Sequence, residues 1–220
     1  MPLSLANQQF NNALIVDDDP AAREATGEVT RDLGLQSRPA RGPLKSIDTL
    51  LTEVKGQQFI TIADHHLRVK SYATFDGAEL VATMYENKVP ALLCTRFERA
   101  EVMEIRNYRA RIPVLLTPGR LDVDSVRRGI EICIKEFEGI YSERRRTWRT
   151  LVRVENVEPS FKFADVVVSA WNPNTVIRIG LTSFPKRMRN RFKSELRLHA
   201  MVNIGAESED ELYFVGWEHD

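Results

Sequence analysis

The sequence predicts an α/β fold in which a five-stranded parallel, doubly wound sheet is followed by a small β-rich α+β domain. Over the first two-thirds of the chain, short apolar runs alternate with segments of helical periodicity, as in parallel sheets covered on both faces. From about residue 150 the pattern becomes strand-like runs around one helical segment. With 220 residues, 43% of them hydrophobic, the chain can bury two modest cores. We therefore expect domains at residues 10–145 and 150–220.

The five strands of the first domain are predicted from apolar runs that end at polar or turn residues. These runs are residues 13–16, 35–38, 59–63, 91–94 and 112–116.

The intervening helices are predicted from apolar spacing and end signals. Pro20 in the first turn and Gly34 after the last turn bracket the first helix, and Ser46 and Gly56 bracket the second. The remaining helical patterns cover residues 75–87, 98–109 and the stretch from Asp122 to about residue 140.

The second domain is predicted to contain four strands and one helix. The strand-like runs are residues 161–171, 175–182, 196–206 and 212–217, and the helical run is 185–195. Trp171, Phe184 and Trp217 are expected in its core. Residues 141–150 join the two domains and could simply prolong the preceding helix.

Charge and composition exclude several classes of protein. The 31 basic and 31 acidic residues balance, which argues against a globally basic nucleic-acid coat. No apolar run approaches the length of a membrane span, and no basic start precedes an apolar stretch, so we expect a cytoplasmic protein without membrane contact. Cys94 and Cys133 lie inside apolar runs, which fits a reducing compartment and no disulfide framework.

Polar residues follow the predicted strands at their carboxyl ends. They are Asp17, Asp18, Asp64, Thr95 and Thr117. Right-handed crossovers bring these ends to one edge of the sheet, where such folds bind ligands. A single aspartate at a strand end is most simply explained as a helix cap or a solvated turn residue. Three carboxylates at one edge repel each other, and they indicate a shared site for a divalent cation such as Mg²⁺.

In these motifs the sequence resembles the receiver domain of two-component response regulators, over about residues 10–140. The similar segments are Ala-Leu-Ile-Val-Asp-Asp-Asp-Pro at 13–20, Ile-Thr-Ile-Ala-Asp at 60–64, Phe-Asp-Gly-Ala-Glu-Leu at 75–80, Leu-Leu-Cys-Thr at 92–95 and Pro-Val-Leu-Leu-Thr-Pro at 113–118. The resemblance implies a flavodoxin-like receiver fold. The second domain resembles no family that we can name.

The resemblance also implies a signalling function and a role for each matching residue. Asp64 would be the phospho-acceptor, Asp17 and Asp18 together with Asp64 would hold Mg²⁺, and Thr95 would be the switch hydroxyl. A partner histidine kinase or another signalling protein would donate the phosphoryl group. Apart from catalysing its own phosphorylation, such a domain is a switch and not an enzyme.

Three departures from the family pattern support an alternative. The lysine before the last proline is Thr117 here, the loop from Asp64 to Asp76 is longer than in the family, and Val114 stands where an aromatic switch residue is usual. A hydroxyl does not supply the lysine charge, and Arg120 would replace it only in part. The alternative is a pseudo-receiver that acts as a phosphorylation-independent interaction scaffold.

The triplet Asp64-His65-His66 suggests a remote alternative, a DHH-type metal-dependent phosphoesterase. Imidazole and carboxylate ligands suit manganese or zinc. That family also requires a histidine after the first strand, where this chain has none. We therefore expect His65 and His66 to be exposed loop residues.

Two basic stretches are candidates for contact with nucleic-acid phosphates. They comprise Arg144, Arg145, Arg146 and Arg149, and Lys186, Arg187, Arg189, Arg191, Lys193 and Arg197. Acidic residues nearly balance them, and no helix-turn-helix pattern is present, so nucleic acid is not the expected partner. A helix extending over residues 122–149 would offer a surface for a homodimer.

Overall fold

The computed structural model describes residues 3–5, 8–56, 58–96, 101–189 and 196–219. The chain divides into two compact units. The first unit comprises Met1–Phe97 and Arg111–Ile140, and the second comprises Glu98–Ala110 and Tyr141–Asp220. The expected boundaries, 10–145 and 150–220, make the two parts successive, whereas the second unit also includes a segment from the middle of the first.

The strands are β1 (Leu3–Leu5), β2 (Gln8–Phe10), β3 (Asn12–Val16), β4 (Gln36–Pro39), β5 (Phe59–Ala63), β6 (Ala91–Cys94), β7 (Leu115–Leu116), β8 (Trp148–Glu158), β9 (Phe163–Val168), β10 (Ile177–Gly180), β11 (Arg197–Val202) and β12 (Phe214–His219). The helices are α1 (Pro20–Asp32), α2 (Ile47–Val54), α3 (Gly77–Glu86), α4 (Val102–Arg106), α5 (Val123–Phe137) and α6 (Lys186–Arg189). No helix in the described ranges has the length and apolar character needed to cross a membrane.

The first unit contains the predicted five-stranded parallel sheet, in the order β4-β3-β5-β6-β7. All four pairings are parallel, and residues 13–16 of β3 and all of β5 are buried, as expected for strands with helices on both faces. Helix α1 packs with α5, and α2 packs with α3. This confirms the predicted doubly wound fold, and the strand order is the flavodoxin-like one.

An antiparallel hairpin formed by β1 and β2 precedes this sheet. Leu3, Leu5 and Phe10 join the core that contains α5. The sequence analysis missed the hairpin, because strands of three residues containing glutamine leave no clear period-2 pattern.

The second unit is built on an antiparallel sheet in the order β10-β9-β8-β11-β12, which confirms the predicted β-rich module. Phe184 and Trp217 are buried in its core, and Trp171 packs against that core, as predicted. Met188 of α6 is also buried there. The rest of the predicted helix, residues 190–195, lies outside the described residues.

The central strand β8 was not predicted. Helix α5 ends at Phe137, and Gly139 adopts a φ of +80°, so residues 141–150 do not prolong the helix. That expectation is wrong, and the long helix 122–149 proposed for dimerisation is not formed. In β8, buried Thr150, Val152 and Val154 alternate with more exposed residues, but the preceding arginines hide this alternation in the sequence.

Helix α4 belongs to the second unit through buried arginines. The predicted helix 98–109 forms only over Val102–Arg106, and residues 98–100 lie outside the described residues. Arg106 donates hydrogen bonds to the carbonyl oxygens of Leu212 (3.2 Å), Arg178 and Glu209 (2.6 Å). Arg145 donates to the carbonyl oxygens that end the segment, those of residues 109 (3.0 Å) and 110 (2.9 Å).

Candidate functional site

The sheet brings the three predicted aspartates together at its carboxyl edge. Strands β3 and β5 are neighbours, with Val16 opposite Ala63, and the Asp64 amide donates to the Val16 carbonyl at 2.9 Å. Asp17 and Asp18 follow β3, and Asp64 follows β5. One carboxylate oxygen of each lies within 4.8 Å of the others. The strand order reverses at β3, where doubly wound sheets bind ligands.

Local structure separates a capping aspartate from the site aspartates. Asp19 is the N-cap of α1, and its carboxylate accepts from the Ala21 amide at 2.8 Å. The Asp17 carboxylate accepts from the Asp19 amide at 2.8 Å, which fixes its orientation. The sequence Asp-Asp-Asp-Pro therefore supplies two half-buried site carboxylates and one helix cap.

Burial raises the pKa of Asp17 to about 6, from an ordinary value of 3.8. The hydrogen bond from the Asp19 amide opposes this rise, and the negative charges of Asp64, Asp18 and Asp19 contribute to it less than burial does. The ionised form of Asp17 is therefore disfavoured, chiefly because the carboxylate is partly buried.

We expect Asp17→Asn to stabilise the protein at about pH 8 in chelator, and to have little effect at about pH 4. The folded state binds the Asp17 proton more tightly than the unfolded state does. The contribution of protonated Asp17 to the free energy of unfolding is therefore lost as pH rises from about 4 through about 6. Asparagine does not titrate, so the variant does not undergo this loss. Thermal unfolding at the two pH values tests the prediction, and a wild type that is the more stable protein at pH 8 would contradict it.

His66 lies between the predicted phospho-acceptor and the predicted switch hydroxyl. Its amide donates to the Asp64 carboxylate at 2.8 Å. Its ring Nδ1 is 3.7 Å from that carboxylate and 3.5 Å from the Thr95 hydroxyl. The sequence analysis missed this bridge, although the position of His66 two residues after Asp64 was a usable signal.

The expectation that both histidines are exposed is wrong for His65. Its relative exposure is 5%, and its ring meets that of His66 edge-on, with centroids 5.3 Å apart. Among the described residues, the cluster of potential metal ligands consists of the three aspartates and includes neither histidine. The DHH phosphoesterase alternative therefore gains no support from the geometry.

Thr95 is fully buried at the end of β6, and its amide donates to the Leu116 carbonyl at 2.9 Å. At the neighbouring Cys94, burial and the negative charges of Asp64 and Asp17 raise the pKa of the thiol to about 12, which disfavours the reactive thiolate.

Thr117 and Arg120 do not join the cluster. Both are exposed, and Thr117 is the N-cap residue of a short 3₁₀ turn. Within the described ranges, no hydrogen bond or ion pair connects Arg120 with the three aspartates. Val114 is buried in the core, so it lacks both the ring and the exposure of the expected switch residue.

Residues of the first basic stretch form ion pairs within their own unit. Arg144 pairs with Glu207, Arg146 with Glu143 (3.3 Å) and Arg149 with Glu218 (2.9 Å). In the second basic stretch, Arg191 and Lys193 lie outside the described residues. The expectation that nucleic acid is not the partner stays a prediction.

Comparison with solved structures gives neighbours that cover about 55–60% of this chain. The receiver domain of an HD domain-containing protein from Pseudomonas fluorescens Pf-5 has a TM-score of 0.45 and 17% identity over 59% of this chain and 93% of its own. A chemotaxis response regulator of Vibrio cholerae has a TM-score of 0.40 and 17% identity over 56% of this chain and 98% of its own. No family model matches the chain, and no curated protein matches it.

The strand order of the sheet, β4-β3-β5-β6-β7, decides the fold. The acidic residues Asp17 and Asp64 follow β3 and β5, which are neighbours in the sheet. The first unit has the fold of a response-regulator receiver domain. The receiver unit carries the predicted acceptor, acid pair and hydroxyl on one edge of its sheet.

The carboxylates of the receiver unit fit a divalent cation. Asp17, Asp18 and Asp64 offer oxygen ligands within 4.8 Å of one another, and Mg²⁺ prefers such ligands. The negative charges of Asp64 and Asp18 contribute to the raised pKa of Asp17, so the three carboxylates repel one another. A bound cation would supply the missing positive charge.

Proposed function

We propose that the receiver unit is a phosphoryl-accepting switch in signal transduction, with Asp64 as the acceptor. The observation that carries the proposal is the meeting of Asp17, Asp18 and Asp64 at the switch point of the sheet, with Asp64 joined to Thr95 through His66. In this function Asp17, Asp18 and Asp64 hold Mg²⁺.

The phosphoryl donor in this proposal is a phosphohistidine of a partner kinase. An oxygen of the Asp64 carboxylate forms a bond to phosphorus, the phosphorus–nitrogen bond of the donor breaks, and the released imidazole takes up a proton. A bound cation offsets the negative charge of the phosphoryl oxygens and the three carboxylates. The chain transfers the group to itself and turns over no substrate.

Thr95 is the group that senses the phosphoryl group in this proposal. Its hydroxyl is buried at the end of β6 and contacts His66 at 3.5 Å. A phosphoryl group on Asp64 would compete with the imidazole for this hydroxyl. Any resulting movement of Thr95 would act on the chain that leaves β6.

The exposed Thr117, in place of a lysine, favours the scaffold alternative. Without a lysine at this position, the phosphoryl oxygens lose a charge-assisted contact, which is typically worth about 1.5–3 kcal/mol. A receiver unit that binds Mg²⁺ without responding to a phosphoryl group would be a pseudo-receiver serving as an interaction scaffold.

The experiment is an Mg²⁺ titration with and without beryllofluoride, a mimic of the phosphoryl group, followed by amide NMR. NMR is preferred over fluorescence because Trp148, Trp171 and Trp217 all lie in the second unit. Asp64→Asn is the test variant. Asp19→Asn is its matched control, because it removes a neighbouring charge while asparagine still caps α1.

The proposal predicts saturable Mg²⁺ binding in the wild type and Asp19→Asn, with shifts at residues 64–66 and 95 on addition of beryllofluoride. Asp64→Asn abolishes the second response. Mg²⁺ binding without a beryllofluoride response favours the scaffold, and absence of both responses overturns the metal site as well.

A further inference from the structure

A cleft with excess positive charge lies beside Asp18 in the receiver unit. Its volume is about 560 Å³. It is lined by Asp18, Arg23, Arg41, Gly42, Pro43, Lys70, Ser71 and Tyr72. Three cationic side chains and one carboxylate thus line the same cleft. The carboxylate is that of Asp18, which also belongs to the acidic cluster.

The three cations outnumber the one carboxylate of the cleft, Asp18, and two of them form no ion pair with it. In the described part of the chain, Arg41 and Lys70 make no ion pair and no side-chain hydrogen bond. Arg23 donates to the main-chain oxygen of Asp17 and lies over the ring of Tyr72, with its guanidinium 5.7 Å from the ring centroid. Like charges gathered without a counter-ion repel each other, and an anion in the cleft would relieve this repulsion.

The walls of the cleft are held in place by the main chain. Lys70 and Ser71 adopt consecutive left-handed conformations, with φ of +51° and +58°, which residues other than glycine adopt only when the surrounding structure holds them there. On the facing wall, a Cβ on Gly42 would lie 2.6 Å from the Tyr72 ring. The Tyr72 hydroxyl donates to the Ala40 carbonyl at 3.0 Å, and the Leu44 amide donates to the Tyr72 carbonyl at 2.7 Å.

A second cavity of about 680 Å³ continues the cleft and shares Arg41 and Pro43 with it. It adds two cations, Arg38 and Lys45, against one acid, Glu53. Its remaining lining is largely apolar, and includes Pro39, Leu44 and Leu50. An apolar lining with a few charged groups at one end is the usual character of a small-molecule site, and both volumes lie in the usual range.

We propose that this groove binds a nucleotide, with its phosphates between Arg41 and Lys70 and its base over the apolar lining of the second cavity. Arginine and lysine are the side chains that recognise phosphate oxygens. The inference is independent of phosphorylation at Asp64, since none of the groups that carry it is the acceptor.

The test is isothermal titration with ADP, pyrophosphate and adenosine in Mg²⁺-free buffer with chelator, combined with amide-shift mapping. We expect saturable ADP binding, with shifts at residues 38–50 and 70–72, and weaker binding of pyrophosphate and of adenosine, each of which fills only one cavity. Omitting Mg²⁺ separates this result from the outcome at Asp64.

Arg41→Ala and Lys70→Gly are each expected to weaken ADP binding at least tenfold, the lower range for losing one charge-assisted hydrogen bond. Glycine accepts the left-handed φ at position 70, so the variant removes the cation and keeps the loop. Lys88→Gly is the matched control, because Lys88 also has a φ of +58° but precedes β6, at the opposite edge of the sheet.

Three results would overturn the proposal. They are no saturable binding of ADP, equal weakening in Lys70→Gly and Lys88→Gly, and amide shifts confined to residues outside the groove. Equal weakening would reduce the effect to general attraction of an anion by positive charge.

Discussion

Replacing Gly77 with alanine is expected to destabilise the receiver unit by about 3 kcal/mol or more and to lower its melting temperature by roughly 10 °C. A Cβ at this position would lie 1.7 Å from the carbonyl oxygen of Asp64 and 3.0 Å from the Cα of His65. Both are main-chain atoms, and the Gly77 amide donates to the His65 carbonyl at 3.0 Å. The clash cannot be relieved without moving either the start of α3 or the loop from Asp64 to Asp76.

Gly119→Ala is the control for this substitution. Gly119 lies in the same unit, its φ is not in the left-handed range, and a Cβ there would meet no atom within 4 Å. Thermal unfolding followed by circular dichroism measures both variants. A Gly77→Ala protein that melts within a few degrees of Gly119→Ala would contradict the prediction. It would show that the loop from Asp64 to Asp76 moves at little cost to make room for the Cβ.

The same substitution links stability to the proposed function. Because α3 starts against the Asp64 main chain, a folded Gly77→Ala protein must move either the start of α3 or the main chain that carries the Asp64 carboxylate. We therefore expect weaker Mg²⁺ binding in this variant even at temperatures where it is folded. This close approach explains why a glycine follows Asp76 in a sequence that otherwise favours helix.

The parallel sheet and the acidic cluster could be predicted because both depend on local patterns. Strands buried on both faces are largely apolar, as in residues 59–63, where Thr61 is the one polar residue, and each ends at a polar residue. In a parallel sheet these ends share an edge, so Asp17, Asp18 and Asp64 could be placed together from sequence alone. Their convergence within 4.8 Å confirms that part of the prediction.

The contacts of His66 and the cationic groove could not be predicted in this way. Both depend on how the loop from Asp64 to Asp76 folds, and loops carry no periodicity that fixes their conformation. Lys70 and Ser71 adopt left-handed conformations that their residue types disfavour. Arg68, in the same loop, instead pairs with Asp76 at 2.7 Å, a choice that charge alone does not determine.

The assignment of α4 to the second unit also escapes sequence analysis. An amphipathic pattern shows that a helix buries one face, but it does not say in which core. Arg106 and Arg109 are ordinarily interpreted as solvated residues, yet their relative exposures are 6% and 7%. Burial lowers the pKa of each to about 10, so both remain charged at neutral pH and must be satisfied inside the protein.

Arg106→Ala is expected to destabilise the second unit by about 3 kcal/mol, because one buried and two partly buried hydrogen bonds to carbonyl groups lose their donor. Arg106→Lys should fail to restore stability, since one ammonium group does not reproduce the planar fork that reaches three acceptors. Arg146→Ala is the control, because its exposed pair with Glu143 is worth about 0–1 kcal/mol.

Denaturant unfolding followed by tryptophan fluorescence reports on the second unit alone, because all three tryptophans lie there, while amide NMR reports on the parallel sheet. If α4 is energetically part of the second unit, Arg106→Ala shifts the fluorescence transition to lower denaturant and leaves the signals of β3, β5 and β6 in place. Equal loss of both signals would mean that the segment after Thr95 stabilises the receiver unit instead. The first outcome would make Arg106 the residue that holds α4 to the core of the second unit, as its three hydrogen bonds within that unit indicate.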